Sequence, residues 1–387
     1  MLVASCSSSD SDGAGSESAT AAATAESVTP RLGLTYDGGI LVLDQQTLEV
    51  VDTVDADGFL RLNAAGDGRH FFVSTPSGFS LFDAGTWTED GKHYTAAPAF
   101  TDITFDAEKP GHVVVHGGKT VLWDDGNGEI RSFDTKDVAN DPAISEYTTT
   151  AHHGVAVELE NGDLVLSVGD ENARTGAQAL DKDRNEIARS EECPALHGEA
   201  TGEGEVVGFG CQDGVLIYRD GAFTKAVSPD AYGRVGTLAG DDSSPFFLGD
   251  YKSDPEAEKE RPTRVAIIDS RSGEVALVEL GASYSSKSLA RGPHGEALVL
   301  GTDGKLHVID PETKQITSSI EVVAPWTEPD NWQEPRPTIF VSDHTAFITE
   351  PSTNKIYAVD IEGGKVTATG ELPQTPNEIK GVTGDSK

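Results

Sequence analysis

One short element recurs eight times along this chain and leaves few folds open to it. A glycine or turn is followed by alternating apolar residues ending on an acid, then a short turn and a second alternating run. It reads GGILVLDQQTLEVVDTV, SGFSLFDAGTWTED, NGEIRSFDTKDV, GAQALDKDRNEIARS, DGVLIYRDGAFTKAV, TRVAIIDSRSGEVALVEL, DGKLHVIDPETKQITSSI and NKIYAVDIEGGKVTATG. The acid falls at Asp44, Asp83, Asp134, Asp181, Asp220, Asp269, Asp310 and Asp360, at intervals of 39, 51, 47, 39, 49, 41 and 50 residues. Sustained helical periodicity is nearly absent from about residue 30 onward, so the chain reads as all-β. Repeats of this length are those of four-stranded propeller blades. Each such sheet has two apolar faces, and radial stacking against neighbours covers both while leaving only short edges. The expectation is a β-propeller of eight blades, with seven as the alternative; two β-sandwiches would not demand so steady an interval. The recurring acids are read as turn chemistry, since Asp accepts hydrogen bonds from backbone two residues on. Trp123, Phe209, Tyr218 and Phe247 are read as core between blades.

Charge narrows the function. With 65 acidic against 29 basic residues the formal charge is -36, which repels nucleic acid and anionic lipid and attracts cations. Most of these carboxylates are expected on a solvated surface. The first residues, MLVASC, carry Val3-Ala4-Ser5-Cys6, similar to a bacterial lipobox in which the cysteine is lipidated, although the charged region and long apolar run that precede a lipobox are missing. The following SSSDSDGAGSESATAAATAESVTP is poor in large apolar side chains and is expected to be a disordered tether. The expected organisation is therefore a lipobox-like N-terminus and linker over 1–29 and one propeller domain over 30–387. No later segment offers the roughly 18 consecutive apolar residues of a membrane span, so the expected membrane link is a lipid anchor on an extracytoplasmic, monomeric protein. With Cys6 assigned to lipidation, Cys193 and Cys211 remain, as a disulfide in an oxidising compartment or as a thiolate metal site.

The histidines offer a second pattern. His153, His197 and His294 each precede a glycine just before a strand, and His116, His153 and His197 are 37 and 44 residues apart, about one blade each. Inner strands of a propeller surround a common channel, so three neighbouring blades can each offer an imidazole at one channel mouth. Zinc takes about four N, O or S ligands at roughly 2.0–2.3 Å, and the outer ring nitrogen of a ligand usually donates to a carboxylate or carbonyl. His116, His153 and His197 are the candidate ligands, with His152 as the alternative to its neighbour and Glu199 and Asp124 as fourth ligand or supporting carboxylates. A His-Gly pair is also an ordinary polar turn, and no H-x-x-x-H on a helix, H-E-x-x-H or paired C-x-x-C strengthens the metal reading. His70, His93, His294, His307 and His344 are read as surface or turn residues.

HVVVHGGKTVLWDDGNGEIRSFD, HHGVAVELENGDLVLS, CPALHGEA, FGCQDGVLIY and WTEPDNWQEPRP together resemble the AztD-type zinc metallochaperones, exported β-propellers that carry zinc to the solute-binding protein of a zinc ABC importer. The resemblance spans roughly residues 35–365 and is densest over 112–218. It implies zinc carried by His116, His153 and His197, and a Cys193–Cys211 disulfide steadying the loop that bears His197. Some members are expected to carry a histidine-rich N-terminal segment; residues 1–29 contain no histidine, a departure that bears on how zinc would be handed on. Two other classes compete: an extracellular propeller that binds a protein or glycan without metal, and a propeller enzyme. No assembled nucleophile and base is visible, and GFSLFD lacks the second glycine of G-x-S-x-G, so a non-catalytic role is expected.

Overall fold

Central strands such as Gly39–Asp44 are continuous apolar runs because both faces of their sheet are covered. In a computed structural model, which describes residues 22–385, Ile40, Leu41, Val42 and Leu43 are all fully buried. Ile40 and Val42 pack into one cluster with Leu62, Phe71 and Val73, while Leu41 and Leu43 pack into another with Phe347 and Ile356. One strand thus feeds two seams through the two-residue period of its side chains. The same division repeats round the molecule, so that among the described residues seven apolar clusters lie along the seams between sheets. Glycines let aromatic rings close these seams: a Cβ on Gly33 would lie 2.9 Å from the Phe71 ring, and one on Gly208 would lie 2.8 Å from Phe247.

Among the described residues eight four-stranded antiparallel sheets result, consistent with the eight blades expected of the propeller. In blade five, for example, the strands Glu199–Gly202, Val206–Cys211, Gly214–Arg219 and Ala222–Val227 follow one another outward from the channel. The recurring sequence element is the outer hairpin, and its acid accepts from the turn: Asp44 Oδ1 from the Gln46 and Thr47 amides, and Asp310 Oδ1 from those of Glu312 and Thr313. The ring closes by sharing one blade between the chain ends. Ile379–Val382 is the innermost strand of blade one and pairs with Arg31–Tyr36, with Leu34 opposite Ile379.

Two segments depart from the simple pattern. In blade two the residues after Asp83 do not form the outer strand; Thr86–Glu89 and Lys92–Thr95 make an inserted hairpin, and Ala99–Asp106 returns as the fourth strand. Ala23–Ala25, within the stretch read as tether, is a strand on that hairpin, its alternating small residues pairing with His93–Thr95. Cys6 and the rest of the lipobox lie outside the described residues. No helix among the described residues is long and apolar enough to cross a membrane.

Antiparallel succession fixes two faces. Loops leading from one blade's outermost strand to the next blade's innermost strand, and turns between second and third strands, lie at one end of the channel, here the upper face. Turns between first and second, and third and fourth, strands lie at the lower face.

Candidate metal centre

Three histidines from consecutive blades meet at the upper mouth of the channel, and one of them is not a residue singled out by spacing. His153 lies in the loop from blade three to blade four, and His197 in the loop from blade four to blade five. The third is His112, on the innermost strand of blade three, Pro110–His116. Its ring centroid is 5.1 Å from that of His153 and 6.3 Å from that of His197, and the latter two are 5.3 Å apart.

The outer nitrogen of every ring is engaged. His153 Nδ1 donates to Asp125 Oδ2 at 2.7 Å, from a carboxylate only 5% exposed. His197 Nδ1 donates to the Gly236 carbonyl at 2.5 Å. His112 Nδ1 lies 3.2 Å from Glu199 Oε2. Carbonyl and carboxylate oxygens only accept, so His153 and His197 each carry a proton on Nδ1, and their Nε2 atoms face each other 3.3 Å apart. A proton shared as an N–H···N hydrogen bond, or a metal ion, would satisfy this pair. Burial, only partly opposed by the Gly236 carbonyl and reinforced by His112 and His153, pulls His197 down to about 4, so a second proton is disfavoured there. A separation of about 3.3 Å is the edge of a tetrahedron with zinc–nitrogen distances of roughly 2.0–2.1 Å. Burial also pushes His112 down, but Glu199 and then Asp125 outweigh it and hold its proton affinity above the ordinary histidine value.

The local chain explains each placement. Pairing with the next strand slips one residue between Pro110 and Val113, a bulge that re-aims His112. Gly111 leaves room beside it, since a Cβ there would sit 2.4 Å from Asp125 Oδ1. Gly154 has a similar role, because a Cβ would meet Trp123 at 2.2 Å and His152 at 2.6 Å. Gly198 follows His197 at φ +75°, the left-handed region that favours glycine. Cys193 and Cys211 form a disulfide with Cα atoms 4.9 Å apart, so the thiolate alternative does not apply. Around it the His197 amide donates to the Gly210 carbonyl and the Gly210 amide to the Gly198 carbonyl, which ties the His197 loop to strand Val206–Cys211.

Other expected residues fall elsewhere. His116 is at the lower end of its strand, about 13 Å along from His112 at the usual rise per residue. Its Nε2 bonds Glu205 Oε1 at 2.9 Å and its Nδ1 lies 3.5 Å from Asp242 Oδ1, carboxylates from the first turns of blades five and six. Burial lowers its proton affinity, yet Asp242 and Glu205 together outweigh burial and hold it above the ordinary histidine value, as Glu199 and Asp125 do for His112; it is position, at the lower end of the strand, that keeps His116 away from the other rings. His152 turns into the core: Nδ1 donates to the Thr150 carbonyl at 2.7 Å and Nε2 meets Ser167 Oγ at 2.9 Å, beside Trp123. Asp124 caps a turn, accepting from the Glu108, Lys109 and Gly126 amides, and its neighbour Asp125 supports the histidine. Glu199 stands as a supporting carboxylate through His112. The signal for His112 was available in Pro-Gly-His, where glycine precedes the histidine; Asp125 follows another acid in Asp124-Asp125 and was indistinguishable from it.

His153 is exposed, with 42% of its side chain accessible, and borders an open pocket of about 330 Å³ with Asp170, Glu171 and Arg174. The site is therefore reachable from the upper face.

No family model matches the chain. It is 26% identical over 372 residues to the zinc chaperone AztD of Citrobacter koseri, covering 89% of this chain and 86% of that protein. A crystal structure of Citrobacter koseri AztD matches with a TM-score of 0.78 at 26% identity, over 93% of this chain and 100% of that one. The structure of apo AztD from the same organism matches at 0.77 and 25% identity, over 92% and 98%. In sequence and in fold, over nearly its whole length, this chain is similar to the AztD zinc chaperone.

Proposed function

We propose that this protein is a non-catalytic zinc chaperone that carries one zinc ion on Nε2 of His112, His153 and His197 and yields it to the solute-binding protein of a zinc ABC importer. The observation that carries the reading is the pair of Nε2 atoms 3.3 Å apart, each ring fixed by an acceptor at Nδ1. Similarity to a protein named a zinc chaperone supports zinc as the cargo. Three ligands leave a fourth position for water or an incoming ligand, and exposure of His153 gives a partner a place to begin. The disulfide suits an oxidising compartment, and Cys6 as a lipid anchor would keep the protein at the outer face of the bacterial membrane.

Zinc titration tests this, with bound metal counted after dialysis against a weak chelator. Single alanine variants of His112, His153 and His197 lose the axial zinc, whereas His116→Ala keeps it. Retention by His153→Ala and His197→Ala alike would leave an acidic propeller that recognises a protein or glycan instead. For delivery, zinc-loaded protein is mixed with the importer's binding protein and the metal followed to its new carrier.

A further inference from the structure

We propose that His294, His344 and Glu362 form a second zinc site, on the face opposite the axial histidines. His294 lies in the turn after the innermost strand of blade seven, Leu289–Arg291, and His344 in the same turn of blade eight, after Ile339–Ser342. Glu362 lies in the turn after the third strand of blade eight, Lys355–Asp360. All three turns open on the lower face.

One carboxylate oxygen gathers both rings. Glu362 Oε1 is 2.7 Å from His294 Nε2 and 3.1 Å from His344 Nδ1, and the ring centroids are 5.4 Å apart at 62°. Three potential ligand atoms, one from each residue, lie within 4.8 Å of one another. A zinc ion at roughly 2.0–2.2 Å from each needs donor separations a few tenths of an ångström wider than these two contacts. The turns are already braced by backbone contacts: the His294 amide donates to Glu296 Oε2 at 3.0 Å, and the Gly363 amide to Asp360 Oδ1 at 2.8 Å.

The surroundings favour a cation. A groove of about 600 Å³ beside the cluster is lined by Glu296, Asp310, Glu312 and Glu362, with no lysine or arginine among its described lining residues. Two imidazoles with one carboxylate select zinc or another borderline metal over calcium or magnesium, which take oxygen ligands. All three residues are exposed, so the ion would be held with open coordination and exchange readily. The residues are distinct from the axial ones, and the proposal stands or falls without them.

Without metal the same residues make histidine–carboxylate hydrogen bonds, and the test must separate the two. Zinc alone is titrated into the full chain, with cobalt(II) absorption in parallel to report nitrogen coordination. The variants are His153→Ala/His197→Ala, His294→Ala/His344→Ala, Glu362→Gln and all four alanines together. The axial double variant should retain one zinc equivalent, the four-alanine variant none, and Glu362→Gln in the axial background should bind at least about tenfold more weakly, the lower bound for loss of even an outer partner. Melting curves without metal confirm that each variant is folded. An axial variant that binds no zinc, or whose zinc survives removal of both His294 and His344, overturns the second site. Loss of zinc only from His294→Ala/His344→Ala supports it and counts against the axial reading instead.

Discussion

Replacing Asp125 by asparagine should weaken axial zinc binding while leaving the fold in place. The carboxylate is almost wholly buried and accepts from His153 Nδ1 at 2.7 Å, so asparagine fits the same space but removes the charge. If its carbonyl oxygen faces the ring, a neutral acceptor replaces a charged one and His153 becomes a poorer ligand. If its amide faces the ring, it donates to Nδ1 and forces the proton to Nε2, where zinc must bind. Both outcomes lower affinity. Loss of such an outer partner costs about 10- to 100-fold, equivalent to about 1.4–2.8 kcal/mol. Because Asp125 also helps raise the proton affinity of His112, its removal eases proton competition there. Measurement at about pH 8, above the ordinary histidine value near 6.5, isolates the loss at His153. A chromophoric chelator competing for zinc gives the affinity, with Asp124→Asn as control: it should lower the melting temperature through its three backbone contacts and leave the axial affinity unchanged. An Asp125→Asn affinity within twofold of the parent, while His153→Ala abolishes binding, would refute the idea that this carboxylate orients the ligand.

Further outcomes follow from the same geometry. Metal-free protein should lose stability as pH falls from about 6.5 towards 4, because His197 has a folded value of about 4 and an ordinary unfolded one, so the unfolded chain takes up the proton first; the loss reaches about 3 kcal/mol and should be smaller in His197→Ala, by denaturant titration at each pH. Removing the disulfide with Cys193→Ser/Cys211→Ser should cost about 3 kcal/mol for a loop of this length and weaken zinc binding as the His197 loop loosens, read from denaturation midpoints and the same chelator assay. Gly154→Ala should destabilise by about 1–3 kcal/mol through overpacking against Trp123 and His152, measured as a lowered melting temperature without metal. His152→Ala should lower stability yet leave the number of bound zinc ions unchanged, since both its ring nitrogens are spent inside blade four and its approach.

The repeat made the architecture legible because a blade is a local object. Its outer hairpin is contiguous in sequence, and its acid, turn and apolar alternation all act over a few residues. Blade two shows the limit: an insertion after Asp83 put the fourth strand at Ala99–Asp106, beyond the reach of a hairpin pattern. The candidate metal centre is a non-local object, and spacing alone picked out two of the three histidines that cluster there. His116 and His112 lie on the same strand, so blade-to-blade spacing cannot choose between them. Position along the strand decides, because one end faces the upper mouth and the other the lower. A one-residue bulge then determines which way the upper residue points, and bulges leave only a faint mark such as Pro-Gly. His294 and His344 were passed over for a related reason: they are 50 residues apart and share no dipeptide, yet equivalent turns of adjacent blades bring them together.

On the proposed reading, the three axial imidazoles differ in ways that would set an order for zinc release. His197 is held by the Gly236 carbonyl and by a loop stitched to the disulfide-bonded strand, and its low proton affinity keeps it neutral near pH 7. His112 lies on an inner strand and meets competition from a proton whenever zinc leaves, since Glu199 and Asp125 favour its charged form. His153 is the exposed member, bordered by the open pocket. A partner's ligand entering through that pocket would displace His153 first, then draw zinc from His112 as that ring takes up a proton, with His197 last to let go. Transfer should therefore quicken as pH falls from 8 towards 6.5, before His197 titrates. Stopped-flow transfer to a zinc-binding acceptor measures this, and replacing Glu199 by glutamine should flatten the dependence by removing the main group that raises His112. A transfer rate independent of pH over that range in the parent would break the link between His112 protonation and release.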